Sequence, residues 1–172
     1  MIIFTMLGCI MFLSDLLMEA LPNVHMVGVL IIVYTVIYRV WALIPLYLYV
    51  FLNGIYAAMS GTVLWWVPYL YVWTVLWGVV MLLPKKMPMK IAVPVYMVVC
   101  AVHGLSFGTL YAPVQAILFG LSPDKIPLWI AAGFPFDLIH AGGNLVMGVL
   151  IQPMIAVLRR LEMKTGASWE NR

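Results

Sequence analysis

The chain has 172 residues, of which 66% are apolar and 9% charged, and its mean hydropathy is +1.10. Soluble domains are about half apolar and about a quarter charged, so a water-soluble globular fold is excluded, and disorder is excluded by the same balance. Nine basic and six acidic residues give a formal charge of +3, with no basic run that invites nucleic acid. A bilayer span takes roughly 20 apolar residues, so the chain accommodates six spans, each with a short connection.

The breaks fall at Leu21-Pro22-Asn23, Tyr38-Arg39, Met59-Ser60-Gly61, Pro84 to Lys90 and Gly120 to Pro127. They leave six apolar segments: 1–20, 24–38, 41–59, 62–83, 91–119 and 127–160. The expected fold is an all-α integral membrane protein with six transmembrane helices, forming a single domain over 1–172. Met1–Leu13 lacks a basic start and a small-x-small cleavage site, so the first segment reads as a span and not as a signal peptide. The second segment covers only about 22 Å as a helix, so it must be well packed or not fully crossing. Cys9 and Cys100 lie in apolar runs and read as free buried thiols; no Cys-x-x-Cys is present. The sixth segment ends in Arg159, Arg160, Glu162 and Lys164, a solvated helix end, and the polar tail Thr165–Arg172 reads as frayed.

Basic residues are retained on the cytoplasmic side of a membrane. With the N-terminus inside and all six segments crossing, that side holds Arg39, Lys85, Lys86, Lys90, Arg159, Arg160, Lys164 and Arg172, and only Lys125 lies outside. An odd number of spans destroys this bias. Both termini are therefore expected to be cytoplasmic.

On this topology the polar residues of the spans gather towards the exterior: Asp15 and Glu19, Asn23 and His25, Asn53 and Tyr56, Tyr111 and Gln115. Asp137, His140 and Asn144 follow at i, i+3 and i+7, one helical face. Polar groups within a membrane are costly and usually face a cavity or a partner, so an outward-opening pocket is expected. Several of these residues also have a structural reading. Asp15 and Glu19 could mark a helix end. The stripe Trp65, Tyr69, Trp73, Trp77 has the spacing of packing residues, and Trp77 reads as structural. Gln115 alone fits an interhelical hydrogen bond. His103 reads as structural, and three histidines on three segments argue against a metal site. Asp137 with His140 reads as functional, because a carboxylate about ten residues into a helix is expensive. The glycines of the last two segments read as packing residues, and Pro113 and Pro135 as interruptions next to a cavity. No phosphate loop, His-Glu-x-x-His or Gly-x-Ser-x-Gly is present.

Three stretches carry a resemblance: Ala20-Leu-Pro-Asn-Val24, Trp65-Trp-Val-Pro-Tyr-Leu-Tyr-Val-Trp73, and Gly133-Phe-Pro-Phe-Asp-Leu-Ile-His-Ala-Gly-Gly-Asn144. The chain resembles the substrate-binding (S) components of bacterial energy-coupling factor (ECF) vitamin transporters in these stretches, in size and in its six-helix layout. The third stretch is also similar to the Pro-Phe-Asn-x-Ile-Lys stretch of riboflavin S components, whose Asn and Lys contact the vitamin. Those two positions fall on Asp137 and His140 here, and the changes argue against riboflavin itself.

The resemblance implies a multi-pass protein of the bacterial cell membrane, without a cofactor or metal. It implies capture of a small vitamin-like nutrient from outside, then docking on a membrane scaffold (T) subunit driven by two ATP-binding subunits. The S component topples in the bilayer to release its cargo. Trp65, Trp66, Tyr69, Tyr71 and Tyr111 would supply stacking and contact surfaces, and Asp137, His140, Asn144, Gln115 and Asn23 hydrogen bonds. The family docks through Ala-x-x-x-Ala in its first helix; Gly8 and Phe12 occupy the corresponding spacing here. The family's polar lead-in has no counterpart after Met1 and is expected to be lost or to start upstream. The alternative is an intramembrane enzyme using Asp137 and His140 as an acid–base pair. A purely structural subunit would explain the glycines but not the one-sided polar cluster.

Overall fold

A computed structural model describes residues 1–21, 23–61 and 64–165. Pro22 of the first break, Thr62 and Val63 at the start of the fourth segment and residues 166–172 of the polar tail lie outside the described residues. Within them the chain is all-helical, with no strand: α1 (Ile2–Leu17), α2 (Val27–Tyr38), α3 (Leu43–Met59), α4 (Tyr69–Leu82), α5 (Met89–Leu105), α6 (Phe107–Phe119), α7 (Ile126–Met147) and α8 (Ile151–Thr165). Short 3₁₀ turns precede α3, α7 and α8.

Three apolar helical runs, Val27–Met59, Met89–Phe119 and Pro123–Lys164, are long enough to cross a membrane, and Ile2–Leu17 and Tyr69–Leu82 are shorter apolar helices. Large apolar side chains cover much of the outer surface, among them Met6, Leu13, Leu17, Phe51, Val98, Val102, Ile117, Phe136 and Val146. A soluble monomer does not expose apolar surface on this scale; the arrangement is compatible with a membrane-embedded protein.

α2 explains how a short helix fits. Eleven of its 12 residues are buried, so its apolar character runs all round the helix, as burial on every side requires. α4 and α8 cover most of it. At its end Arg39 takes a positive φ of 53° with ψ −120°, which turns the chain sharply into α3. The corner is tied down by two hydrogen bonds: Arg39 Nη2 donates to the Met81 carbonyl at 2.7 Å, and Trp77 Nε1 donates to the Arg39 carbonyl at 3.1 Å. Both bonds satisfy carbonyls that a helix end leaves unpaired. Trp77 thus has the structural role its position implies.

The fifth segment is two helices. α5 ends at Leu105, and Ser106 sits in the bridge region (φ −91°, ψ 0°) before α6 begins. The Ser106 hydroxyl donates to the His103 carbonyl at 3.0 Å, the local side-chain bond by which serine competes with the helical ladder. Pro113 and Pro135, expected to interrupt their helices, instead lie inside α6 and α7. The fourth segment also differs: residues 64–68 form turns, and α4 starts only at Tyr69, placing Trp65 and Trp66 in the approach to the helix.

α5 and α7 form the closest pair, and α1 lies along α3. Both approaches depend on glycine. A Cβ on Gly104 would stand 3.0 Å from the Ala141 nitrogen and 3.1 Å from the His140 carbonyl carbon, so α5 and α7 meet backbone to backbone. A Cβ on Gly8 would stand 2.8 Å from Leu48 Cδ2. Gly8 is therefore an α1–α3 packing residue, and Phe12 faces the same way, edge-on to Tyr56 with ring centroids 6.1 Å apart. Neither belongs to the exposed face of α1, which is built from Met6, Ile10, Leu13 and Leu17.

Candidate functional site

Two polar regions lie inside this helical frame. The first is a recess of about 180 Å³ between the end of α1, the end of α3 and the turn before α4. Asp15 and Glu19, four residues apart and hence on one face of the α1 end, supply its carboxylates. Tyr49 donates to Asp15 Oδ2 at 2.7 Å, and Tyr56 to Glu19 Oε2 at 3.2 Å. Asn53 donates to the Tyr49 carbonyl at 3.0 Å. Phe12, Leu16, Trp65 and Tyr69 complete the walls, and among the described residues no basic side chain lines the recess.

The second region is deeper and has no net of internal bonds. Trp73 of α4 is its hub. The Trp73 ring centre lies 5.4 Å from that of His103 on α5, 5.3 Å from Phe107 on α6, 6.5 Å from His140 on α7, and 5.5 Å from His25 in the connection before α2. His25 and His140 are 4.7 Å apart, and Phe107 and His140 4.8 Å. All three histidines of the chain, separated by scores of residues, therefore meet on one tryptophan. One helical turn beyond His140, Asn144 donates through Nδ2 to the Cys100 carbonyl at 3.0 Å.

Hydrogen-bond accounting sets this cluster apart. Buried polar atoms in native proteins nearly always have a partner. Here His25 Nδ1, His103 Nδ1, His140 Nε2, Trp73 Nε1 and Asn144 Oδ1 are buried without one. Trp73, His140 and Asn144 are each no more than 2% exposed, so these atoms are shielded from bulk solvent.

Asp137 stands apart from this group. Its Oδ1 accepts the Gly108 N–H at 3.0 Å, one of the four amides that the α6 N-terminus leaves unpaired. A carboxylate there also meets the positive end of the helix dipole. Gly108 is needed for this seat, since a Cβ would fall 2.6 Å from Asp137 Oδ2. The break at Ser106 creates the helix start, and Asp137 caps it from the neighbouring helix. No hydrogen bond joins Asp137 to His140 among the described residues, and the His140 ring faces His25 and Phe107 instead.

Most of the remaining expected residues lie around the two regions and not within them. Tyr69 bridges the recess and the cluster: it packs edge-on against both Trp65 (5.5 Å) and Trp73 (5.6 Å) and stacks on Tyr49 (6.2 Å). Trp66 covers Gly54, where a Cβ would come within 3.1 Å of its ring. Tyr71 and Tyr111 are committed to backbone, donating to the carbonyls of Leu110 and Trp65. Gln115 is half-buried on α6 and makes no side-chain hydrogen bond among the described residues. Asn23, at φ 61°, seats the first connection against α7, its carbonyl 3.5 Å from where a Cβ of Gly143 would be.

Residue spacing did not disclose His25, His103, Trp73 or Phe107 as a group. The usable signal was simpler: each histidine lies in or beside an otherwise apolar segment, where an ionisable side chain is costly. His103, expected to be structural, does hold a structural bond, Nε2 to the Val72 carbonyl at 3.0 Å, but its other nitrogen joins the unpartnered set. Among the described residues, no group of three His, Cys, Asp or Glu side chains is placed to hold a metal ion. Chemically the cluster offers flat aromatic faces and hydrogen-bonding atoms without a fixed charge. Comparison with protein-family models, with curated proteins and with solved structures returned no match.

Proposed function

We propose that the chain is the membrane-embedded substrate-binding subunit of an ECF-type importer in a bacterial cell membrane. In this reading it spans the bilayer six times with both termini cytoplasmic and captures a small heterocyclic nutrient from outside. A scaffold subunit and two ATP-binding subunits then drive delivery. The observation that carries the reading is the convergence of His25, His103, His140, Trp73 and Asn144 from four parts of the chain, with buried hydrogen-bonding atoms that no protein group engages. Leaving such atoms unpaired costs about 1–3 kcal/mol each, which a protein tolerates where another molecule completes the bonds. The distribution of charge supports the orientation. Arg39, tied to the Met81 carbonyl near Lys85 and Lys86, sits at the start of α3, whereas Asp15 and Glu19 lie by its far end, about 25 Å away for 17 residues of helix.

The test is uptake in cells together with ligand extraction. Purified protein is denatured and its extract analysed by mass spectrometry, and uptake of the compound found is measured with and without the scaffold and ATP-binding subunits. The expected result is one tightly held small molecule, unchanged by the protein, whose uptake needs those subunits. Uptake independent of them, or chemical conversion of the compound that His140→Ala abolishes, would overturn the assignment.

A further inference from the structure

We infer that the histidine–tryptophan cluster selects an uncharged, planar nitrogen heterocycle of amide or lactam type, one whose edge both donates and accepts hydrogen bonds. This rests on the transport reading above and specifies its ligand.

The polarity of the unpartnered atoms is fixed by bonds already made. The Cys100 carbonyl can only accept, so the Asn144 amide must turn its nitrogen there, and Oδ1 is left as an acceptor. The Val72 carbonyl likewise fixes the proton of His103 on Nε2; a neutral imidazole then presents a lone pair at Nδ1. Trp73 Nε1 can only donate. The cluster thus holds two acceptors and one donor of set direction. His25 Nδ1 and His140 Nε2 add two more atoms, each able to take either role by tautomer. An aliphatic alcohol or a hydrocarbon would leave most of them unpaired. A ring bearing adjacent N–H and C=O groups matches acceptors and donors alternately along one edge.

The walls set the shape. Trp73, Phe107, His25 and His140 present ring faces and edges to their neighbours in the cluster at 4.7–6.5 Å, the range in which aromatic groups attract. A flat ring can replace one of these contacts by another of the same kind.

Charge narrows the choice further. Among the described residues no lysine or arginine takes part in the cluster, so an anionic ligand would be buried without a counter-charge, a large desolvation cost. The adjoining recess, which shares Tyr69 with the cluster, carries the carboxylates Asp15 and Glu19, a further disadvantage for an anion. A cation would need a carboxylate, and Asp137, on the same helix face, is already held at the α6 N-terminus.

The experiment uses the full chain in lipid nanodiscs, stripped of bound molecules, with a panel of matched probes. The neutral rings are uracil and nicotinamide. Their anionic partners are orotate and nicotinate, N-methylated uracil lacks the donors, and zinc and nickel ions test the histidines as ligands. Binding is followed by thermal shift and by quenching of tryptophan fluorescence. A neutral ring is expected to bind, and N-methylation or a carboxylate to weaken it by about tenfold or more, the equivalent of one lost hydrogen bond. His140→Leu and Trp73→Phe are expected to lose binding by a similar factor, whereas Tyr56→Phe in the recess keeps it. Tighter binding of a charged ring or of a metal ion, or no binding by any neutral ring, would overturn the inference. A charged compound whose uptake still needs the scaffold and ATP-binding subunits would overturn it while leaving the transport reading standing. Uptake that ignores those subunits would remove both.

Discussion

The recess and the cluster share Tyr69 as a wall yet treat polarity in opposite ways. In the recess the polar groups satisfy one another: Tyr49 serves Asp15, Tyr56 serves Glu19, and Asn53 serves the α3 backbone. In the cluster, less exposed to solvent, five polar atoms are left unpaired. Depth alone would predict the reverse, since an unpaired group costs more as the surroundings become less polar. The difference teaches that hydrogen-bond satisfaction, more than the presence of charged residues, separates a region that holds the fold together from one arranged for a guest. The acidic residues draw the eye in the sequence; the neutral ones make the stronger candidate.

Substitutions can break this comparison, beginning with those that remove the frame common to both regions. Gly104→Leu forces a side chain into space occupied by the α7 backbone and Asn144. Overpacking of this kind typically costs about 1–3 kcal/mol and more where backbone must move, so the largest loss of thermal stability is expected here, together with loss of ligand binding. Tyr49→Phe strips Asp15 of its buried donor; a loss of about 1–3 kcal/mol is expected in thermal or denaturant melting. Asp137→Ala removes the α6 cap and should cost about 1–2 kcal/mol. Asp137→Asn, which keeps an acceptor, should cost less and retain ligand affinity; loss of affinity in Asp137→Asn at unchanged stability would instead place the carboxylate against the ligand.

The sharper test comes from the cluster itself. His140→Leu replaces an unsatisfied imidazole by an apolar group of similar size, and the ligand-free protein should melt at the same temperature or higher, with a gain of up to about 1 kcal/mol. A clear loss of stability in the ligand-free state would show that His140 works as a structural group, and the contrast between the regions would fall. The smallest effect is expected for Tyr56→Phe, an exposed bond at the rim, within about 0.5 kcal/mol.

Helices and their boundaries were legible wherever proline, glycine or charge punctuates an apolar run. The break from Pro84 to Lys90 coincides with the gap between Leu82 and Met89, and that from Gly120 to Pro127 with the gap between Phe119 and Ile126. The unusual shortness of α2 was visible, and so was its remedy of close packing. The division at Ser106 was not, because a single serine in an apolar run is ordinary, and the prolines nearby pointed to the wrong place. That hidden break also explains why spacing alone did not disclose the partner of Asp137. Its partner is a backbone amide that exists only because a helix starts there, and no side chain in the sequence advertises it. The periodicity of α7 correctly put Asp137, His140 and Asn144 on one face. It could not say that the carboxylate would turn to α6 while the other two turned inward, nor that His25 and His103 would join them. Spacing resolves faces within a helix; the meeting of four helices and a connection is decided by packing, which here rests on close approaches such as Gly104 against the α7 backbone.

The all-round burial of α2 has a consequence for how the molecule is made. A helix of 12 residues reaches only about 18 Å, well short of a hydrocarbon layer about 30 Å thick. It cannot hold a place in such a layer by its own length. α1 covers part of it, but most of its surroundings are supplied by neighbours synthesised afterwards, among them α4 and, among the last, α8 at the end of the described chain. Until α8 emerges one flank of α2 stays uncovered, so the second helix completed in the chain is among the last to reach its final environment. Assembly order and sequence order therefore diverge, and fragments truncated before Ile151 should be held by quality-control proteases or chaperones even when every earlier helix has formed.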